Sequence, residues 1–258
     1  MRSTLSVALI TLNEQSNLPR TLASVAWADQ IVVVDCHSTD RTRELAAAAG
    51  AQVYTEDWKG FAAQKNSALA KCACDWTLSL DADEELSPAL AAEIQTLLES
   101  APAADAYWLP RLNFFLGRAL RHGGQYPDRK LRLFRRGQAR FSDRAVHETL
   151  ACAGSTGVLR NPLLHHAYPT LTSYVEHMNR YSSLGAEMLA AQGRNSRSLP
   201  AFLWNVVAAP MANFIYNYGF RLGFLDGREG LLMHMYHCAY SSWKYAKAWR
   251  RGVSGASE

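Results

Sequence analysis

Short apolar strands and helical segments alternate through the first hundred residues of the chain. The apolar periodicity predicts strands over residues 5–11, 30–35, 52–54 and 76–80, with helices over 18–25, 41–49, 60–72 and 86–98. The second strand is an almost continuous run of β-branched residues, as is usual for strands buried on both faces. Strands that alternate with helices at this pace predict βαβ units and a mainly parallel sheet, which places the chain in the α/β class.

The pattern changes after about residue 101. Residues 107–115 and 130–134 read as strands on either side of a Gly123-Gly124 turn, which predicts an antiparallel extension of the sheet. Residues 172–192 have the spacing of an amphipathic helix, and residues 199–249 are rich in aromatic and aliphatic side chains. We therefore divide the chain into a domain over residues 1–170, with halves at 1–100 and 101–170, and a helical region over 171–258.

Cysteine usage and the N-terminus indicate a cytoplasmic protein with reduced thiols. The chain of 258 residues has 5 cysteines, an odd number without the spacing of a zinc site or a disulfide framework. The apolar run Leu5–Leu12 is too short for an export signal, and Asn13-Glu14 interrupts it.

Positive charge is concentrated in one segment. The net charge is +4, and only Asp128 and Asp143 oppose the basic residues between 111 and 144. Those residues are Arg111, Arg118, Arg121, Arg129, Lys130, Arg132, Arg135, Arg136, Arg140 and Arg144. Such a segment favours phosphates, an anionic membrane or nucleic acid. Nucleic acid is not expected, because no helix-turn-helix, zinc or RNA-recognition pattern is present.

The C-terminal region contains an apolar stretch of about the length that crosses a membrane. Residues 202–218 are interrupted by Asn205, Pro210, Asn213 and Asn217, and charged residues follow at once. We expect helices that lie in the membrane interface, with cations toward anionic headgroups. A helical subdomain packed on the core is the alternative.

Carboxylates follow three of the predicted strands. Because the carboxyl ends of parallel strands open on one edge of a sheet, we expect these groups to converge. Two carboxylates at a strand end suit a hard divalent cation. The pattern predicts a pocket for a nucleotide and its cation, formed by Asn13, Glu14, Asp35, Ser38, Asp81, Ala82 and Asp83.

Four motifs of this region, in order, resemble those of glycosyltransferase family 2. They are Val7–Thr11 with Asn13-Glu14, Val32–Asp35 with Ser38-Thr39-Asp40, Gly60 with Gln64-Lys65-Asn66, and Leu80–Asp83. The resemblance implies a GT-A fold, which is a Rossmann-like mixed sheet, with a helical, amphipathic C-terminal extension. Residues 132–135, 146–148 and 218–227 are similar to one branch, which includes lipopolysaccharide inner-core β-1,4-glucosyltransferases.

The resemblance also implies roles for single residues at the donor site. Thr11, Asn13 and Glu14 would line the nucleoside, and Asp35 would accept a hydrogen bond from uracil. Ser38 and Ala82 belong to the same nucleotide-binding motifs. Lys65 would approach the nucleotide, although family members often have arginine there. Asp81 would lie near the ribose and metal, and Asp83 would bind Mg²⁺ or Mn²⁺.

The remaining roles concern the reaction itself. Glu148 in Val146-His147-Glu148 would be the catalytic base, with Asp143 as the other candidate. Cations such as Arg132 and Arg135 could add positive charge near the leaving diphosphate. Either His165 or His166 could complete the metal sphere, but at most one, because adjacent residues on a strand face opposite ways.

The implied activity is an inverting, metal-dependent transfer of glucose from UDP-glucose to the heptose of a lipopolysaccharide inner core. Polyprenyl phosphate, capsule sugar or peptide acceptors are alternatives, as is a non-catalytic membrane- or anion-binding module. The expected partners are a UDP-sugar, a glycolipid and an anionic membrane, and the expected location is the cytoplasmic face of the inner membrane. The oligomeric state stays open.

Overall fold

The computed structural model describes residues 2–100, 102–142, 149–194 and 196–254. Two compact units are present, one formed by residues 1–112 and 128–165 and the other by residues 113–127 and 166–258. The first hundred residues contain β1 (Leu5–Thr11), α1 (Leu18–Ser24), β2 (Gln30–Asp35), α2 (Thr42–Ala48), β3 (Gln52–Thr55), α3 (Phe61–Ala70), β4 (Trp76–Asp81), β5 (Glu84–Leu86) and α4 (Pro88–Glu99).

The middle of the chain is built from strands. They are β6 (Ala106–Phe115), β7 (Arg118–Ala119), β8 (Asp128–Arg135), β9 (Ala139–Ser142), β10 (Thr149–Cys152), β11 (Thr156–Val158) and β12 (Leu163–Tyr168). The main path of the large sheet has the order β3-β2-β1-β4-β8-β6-β12-β5, and β9 and β10 form a separate pair.

Strands β1 to β4 are parallel, as the sequence predicts, and β1, β2 and β4 are buried, whereas the edge strand β3 is mostly exposed. Leu5, Val7 and Leu9 of β1 pack in the cluster that contains helices α1 and α4. Ala8 points the other way, into a cluster with Ala68 of α3. This alternation along a strand gives β1 no solvent face, so apolar residues are required at almost every position.

The register brings the predicted site residues to one edge. Thr11 lies opposite Asp35 in the β1–β2 pair, and Ile10 lies opposite Asp81 in the β1–β4 pair. The carboxyl ends of β1, β2 and β4 therefore meet, as expected from their parallel direction.

The second half of the sheet is antiparallel. Strand β8 pairs antiparallel with both β4 and β6, which confirms the predicted antiparallel extension. One boundary is corrected. The sequence places a helix from residue 86, but Leu86 ends β5, which pairs with β12. The helix begins at Pro88, because the residue before a proline is held extended and Ser87 caps it by accepting from the Leu90 amide.

The second unit is mainly helical. Helix α5 (Leu171–Ala191) is followed by a helical run of four segments, α6 (Leu199–Leu203), a π-helical turn (Trp204–Ala208), α7 (Ala209–Phe214) and a second π-helical turn (Ile215–Phe220). A 3₁₀ turn (Gly223–Asp226) then leads into α8 (Gly227–Ser254). Lys247 of α8 donates to Asn179 Oδ1 of α5 at 2.7 Å, which ties these two helices together.

The polar interruptions in the apolar stretch do not break it. Asn217 Nδ2 donates to the Asn213 carbonyl at 3.0 Å, so that this amide is bonded inside the helix. Pro210 lies just after a π-helical turn, where the regular hydrogen-bond ladder is already interrupted. The 22-residue segment Leu199–Phe220 is long and apolar enough to cross a membrane, and it is the one such helix among the described residues.

One face of this segment, here called the apolar face, is open to solvent. Its residues are 48% to 78% exposed, which excludes a core position. They are Leu199, Leu203, Trp204, Val207, Met211, Ile215, Tyr216 and Phe220. Exposed apolar surface of this extent marks an interaction site in a folded protein.

Candidate donor and metal site

Asp35 joins the ends of β1 and β2. Thr11 Oγ1 donates to Asp35 Oδ2 at 2.8 Å, and the Ser38 amide donates to Asp35 Oδ1 at 2.8 Å. Asp35 is fully buried. The Ser38 hydroxyl also donates to Asp35 Oδ2. A carboxylate has about four acceptor positions, so these three hydrogen bonds leave one position for a further donor.

The loops beyond these two strands are held together by backbone amides. The Asn13 amide donates to Ser38 Oγ, and the Glu14 amide donates to Thr42 Oγ1, both at 2.8 Å. Asn13 has a φ of 56°, a left-handed conformation that asparagine tolerates better than most residues. The sequence-predicted residues Thr11, Asn13, Glu14, Asp35 and Ser38 thus form one connected group.

Glu14 belongs to a concentration of carboxylates. Burial raises the pKa of Glu14, the hydrogen bond from Asn17 opposes this, and the charges of Asp83, Asp40 and Asp81 raise it further. Glu14 therefore lies within electrostatic range of these three carboxylates.

Asp81 lies between two buried cations. Lys65 Nζ contacts Asp81 Oδ1 at 2.7 Å, and Arg132 Nη2 donates to Asp81 Oδ2 at 2.5 Å. Burial would raise the pKa of Asp81, but Arg132 and Lys65 outweigh it and hold that pKa well below its usual value. Both cations are only 6% exposed, so neither is ordinary surface charge.

Sequence reasoning missed Glu84, which completes this network. Glu84 is fully buried and accepts from the Asp81 amide at 3.0 Å, from Arg132 at 2.7 Å and from Arg111 at 3.1 Å. Arg111 Nη2 also donates to Asp128 Oδ2 at 2.7 Å. The available signal was position, because Glu84 lies two residues before the buried Leu86 and therefore shares its side of the strand.

Asp83 has a different partner from Asp81. Asp83 lies in the turn after β4, so the alternation of side chains along a strand does not determine its direction. Its Oδ2 atom is 3.3 Å from His165 Nε2. His166 stacks instead on Phe114, with ring centroids 4.7 Å apart. The expectation that only one of the two histidines could join the site agrees with this geometry.

Asp83 and His165 fit the requirements of a divalent cation better than Asp81 does. Both Asp81 oxygens already contact cations. The Asp83–His165 separation is close to the roughly 3 Å between neighbouring ligands of an octahedral ion. Within the described ranges no group of three His, Cys, Asp or Glu residues could hold a metal. A cation bound here would therefore take its other ligands from phosphate oxygens and water.

Of the remaining predicted residues, the structure describes Ala82 but not the candidate bases. Ala82 contributes its carbonyl, which accepts from Thr21 Oγ1 at 2.7 Å and fixes the turn between Asp81 and Asp83. Glu148, Asp143 and His147 lie outside the described residues.

Several cations of the basic segment form ion pairs with carboxylates of the same protein. Arg111 and Arg132 belong to the buried network, and Lys130 contacts Asp128 at 3.0 Å. Arg135 contacts Asp105 at 3.4 Å and lies over the Trp76 ring. The cationic surface is therefore smaller than the sequence indicates, because pairs distant in the chain cancel charge.

A family model and two similar proteins all indicate a glycosyltransferase. The model of "Glycosyl transferase family 2" matches residues 6–163. The chain is 30% identical over 255 residues to the lipopolysaccharide core biosynthesis glycosyltransferase LpsC of Rhizobium meliloti (strain 1021), covering 96% of this chain and 92% of that protein. It is also 30% identical over 241 residues to an uncharacterized glycosyltransferase of Rickettsia prowazekii (strain Madrid E), covering 86% and 81%.

A solved structure supports the fold. The mannosyltransferase PcManGT from Pyrobaculum calidifontis, solved with GDP-Man and Mn²⁺, superposes with a TM-score of 0.54 at 14% identity, covering 99% of this chain and 88% of that one. The mixed α/β sheet is the GT-A fold, and the chain is a glycosyltransferase. With a family model that matches more than half of its length, the chain belongs to glycosyl transferase family 2.

Proposed function

We propose that this enzyme transfers glucose from UDP-glucose to the heptose of a lipopolysaccharide inner core, with inversion and with Mg²⁺ or Mn²⁺. The similarity to LpsC, named for lipopolysaccharide core biosynthesis, supports the acceptor class because it covers nearly all of both chains. The choice of UDP rests on Asp35, the residue that the family resemblance assigns to uracil.

The observation that carries the proposal is the pair formed by Asp83 and His165. Their facing atoms are 3.3 Å apart at the edge where the parallel strands end. The two side chains are partly open to solvent, at 27% and 15% exposure, so a ligand can reach them. The fold neighbour from Pyrobaculum calidifontis was solved with GDP-Man and Mn²⁺, which supports a divalent cation beside a sugar nucleotide in an enzyme of this fold.

Different residues would bind the cation and stabilise the charge of the diphosphate. Asp83 and His165 would hold the cation, which when bound acts as a Lewis acid toward the leaving diphosphate. Lys65 and Arg132 are held in place by ion pairs with Asp81 and Glu84 and would direct their positive groups toward the bound donor. Held in place before the donor arrives, these charges stabilise negative charge as it develops, without reorganising.

The transfer itself is a single displacement. The acceptor hydroxyl attacks the anomeric carbon while its proton passes to the Glu148 carboxylate, the base that we propose. The bond from that carbon to the diphosphate breaks, and its electron pair leaves with UDP. A positioned base contributes roughly 10²- to 10⁴-fold to the rate.

The apolar face provides the proposed membrane contact. A glycolipid acceptor is embedded in a bilayer, and the exposed residues of Leu199–Phe220 suit a position in the interface. The enzyme would act from the cytoplasmic face of the inner membrane, where its sugar nucleotide is available. Polyprenyl phosphate, capsule sugar and peptide are the alternative acceptors.

The test is a screen of UDP-sugars with purified enzyme and lipopolysaccharide truncated at the inner-core heptose. We expect turnover with UDP-glucose that requires Mg²⁺ or Mn²⁺ and stops in EDTA. Asp83→Ala should abolish both transfer and the metal-dependent part of UDP binding, whereas Glu99→Ala at the exposed end of α4 should not. Full turnover by Asp83→Ala would exclude the metal assignment.

Glu148→Gln separates binding from chemistry. It should keep donor affinity and lose about 10²- to 10⁴-fold in rate, because the amide cannot accept the proton. An unchanged rate would move the base to Asp143 or to another group.

A further inference from the structure

The second unit contains a buried carboxylate that the donor site does not use. Asp226 is 3% exposed, and its Oδ2 atom accepts from the amides of Arg121 at 3.0 Å and His122 at 2.8 Å. Its Oδ1 atom lies 2.7 Å from His122 Nδ1. One carboxylate therefore fixes both the backbone and the ring of His122.

This contact determines the tautomer of the imidazole. An ionised carboxylate only accepts hydrogen bonds, so Nδ1 of His122 must carry a proton. In the neutral ring the other nitrogen, Nε2, is then a hydrogen-bond acceptor. The His122 side chain is 36% exposed, in contrast to Asp226 at 4%.

The loop after His122 contains two glycines, Gly123 and Gly124, that have close neighbours. A Cβ atom on Gly123 would lie 2.0 Å from His234 Nε2, and one on Gly124 would lie 2.3 Å from Arg221 Nη1. Both glycines also have left-handed φ values, of 63° and 79°. His122 thus stands on a segment with a defined position.

A surface histidine is rarely held in this way. A buried carboxylate is costly unless it is fully bonded, and here two contacts hold the backbone of the loop while the third orients a partly exposed ring. In binding sites, side chains that contact a ligand are commonly held in position by hydrogen bonds from residues behind them. A purely structural tie between the loop and the 3₁₀ turn is the competing explanation, and it requires nothing of Nε2.

We propose that His122 is an acceptor-binding residue, whose Nε2 accepts a hydrogen bond from a hydroxyl of the acceptor sugar. This inference rests on the proposed function and names the group that recognises the acceptor. A sugar hydroxyl supplies the donor that a neutral imidazole nitrogen requires. The same unit also carries the apolar face proposed for the lipid part of that acceptor.

Two substitutions separate the binding role from the structural one. In His122→Asn the amide nitrogen replaces Nδ1 and can still donate to Asp226, but nothing replaces Nε2. In Asp226→Asn the side-chain oxygen can still accept from both backbone amides. Its amide nitrogen then donates to Nδ1, which moves the ring proton to Nε2 and removes the acceptor. Glu187→Gln, at an exposed partner of Arg251, is the matched control.

The measurement is calorimetric affinity of the full chain for a soluble heptose-terminated core oligosaccharide, without donor. We expect about a tenfold weaker affinity in His122→Asn and Asp226→Asn, the size of one hydrogen bond. Their melting temperatures and UDP affinities should stay those of the wild type, as should every property of Glu187→Gln.

Unchanged oligosaccharide affinity in both variants would overturn the inference, as would a wild type that does not bind the oligosaccharide. A lowered melting temperature with unchanged affinity would assign the dyad a structural role only. The proposed function fails separately, through absence of metal-dependent turnover in the wild type.

Discussion

At the residue scale, the central feature is that the described charged groups around the proposed donor site are mostly paired with one another. Asp81 is paired with Lys65 and Arg132, and Glu84 with Arg132 and Arg111. The family resemblance places Asp81 near the ribose and metal and makes Asp83 the metal ligand. The structure separates them, because Asp81 organises cations while Asp83 faces a histidine.

Glu84→Gln tests the buried network. Removing one charge leaves Arg132 and Arg111 incompletely compensated in the interior, so we expect a loss of about 3 kcal/mol in the free energy of unfolding. Urea denaturation at neutral pH measures it. The control is Glu44→Gln, which removes an exposed contact with Arg41 at 3.3 Å and should cost under about 1 kcal/mol. Equal losses in the two variants would show that Glu84 has no special part in stability.

At the element scale, the segment Leu199–Phe220 differs from the other helices. Helix α4 buries Leu90, Ile94 and Leu98 in the core, as its periodicity predicts. The apolar segment buries little beyond Pro210. Periodicity alone does not distinguish these cases, because an apolar stripe looks the same whether it meets a sheet or a lipid surface.

The double variant Leu203→Ser/Ile215→Ser tests the apolar face. Since both side chains are about half exposed, at 51% and 53%, the melting temperature should change little. Each loses apolar area that would enter the interface, so binding to anionic vesicles should fall at least tenfold by co-sedimentation. Val158→Ser, at a residue 54% exposed in the other unit, is the matched control. Wild-type vesicle binding by the double variant would exclude this face as the membrane contact.

At the scale of the whole molecule, one unit carries the proposed donor site with its buried ion pairs, and the other carries the C-terminal helices and the His122–Asp226 pair. The similarity to LpsC extends over both units, because it covers 96% of this chain. A ligand that binds only the folded protein raises the stability of the molecule by mass action. Donor binding is therefore measurable without turnover.

Thermal unfolding with UDP tests the site as a whole. At about 100 times its dissociation constant, UDP with Mn²⁺ should stabilise the chain by about 2.7 kcal/mol and raise the melting temperature by roughly 5–10 °C. EDTA should remove most of that increase, and Asp83→Ala should abolish the metal-dependent part. The same increase with and without metal would contradict a site at Asp83 and His165.

The sequence by itself determined the α/β class, the parallel strands, the antiparallel extension and the edge where Thr11, Asp35 and Asp81 meet. These follow from apolar periodicity and strand direction, which are local properties of the chain. Only the tertiary structure decided that Glu84 is buried, that Arg132 faces inward, and that Leu199–Phe220 exposes its apolar side. The physical reason is that burial and ion pairing depend on residues far apart in sequence: Arg132 meets Asp81 across 51 positions, and His122 meets Asp226 across 104.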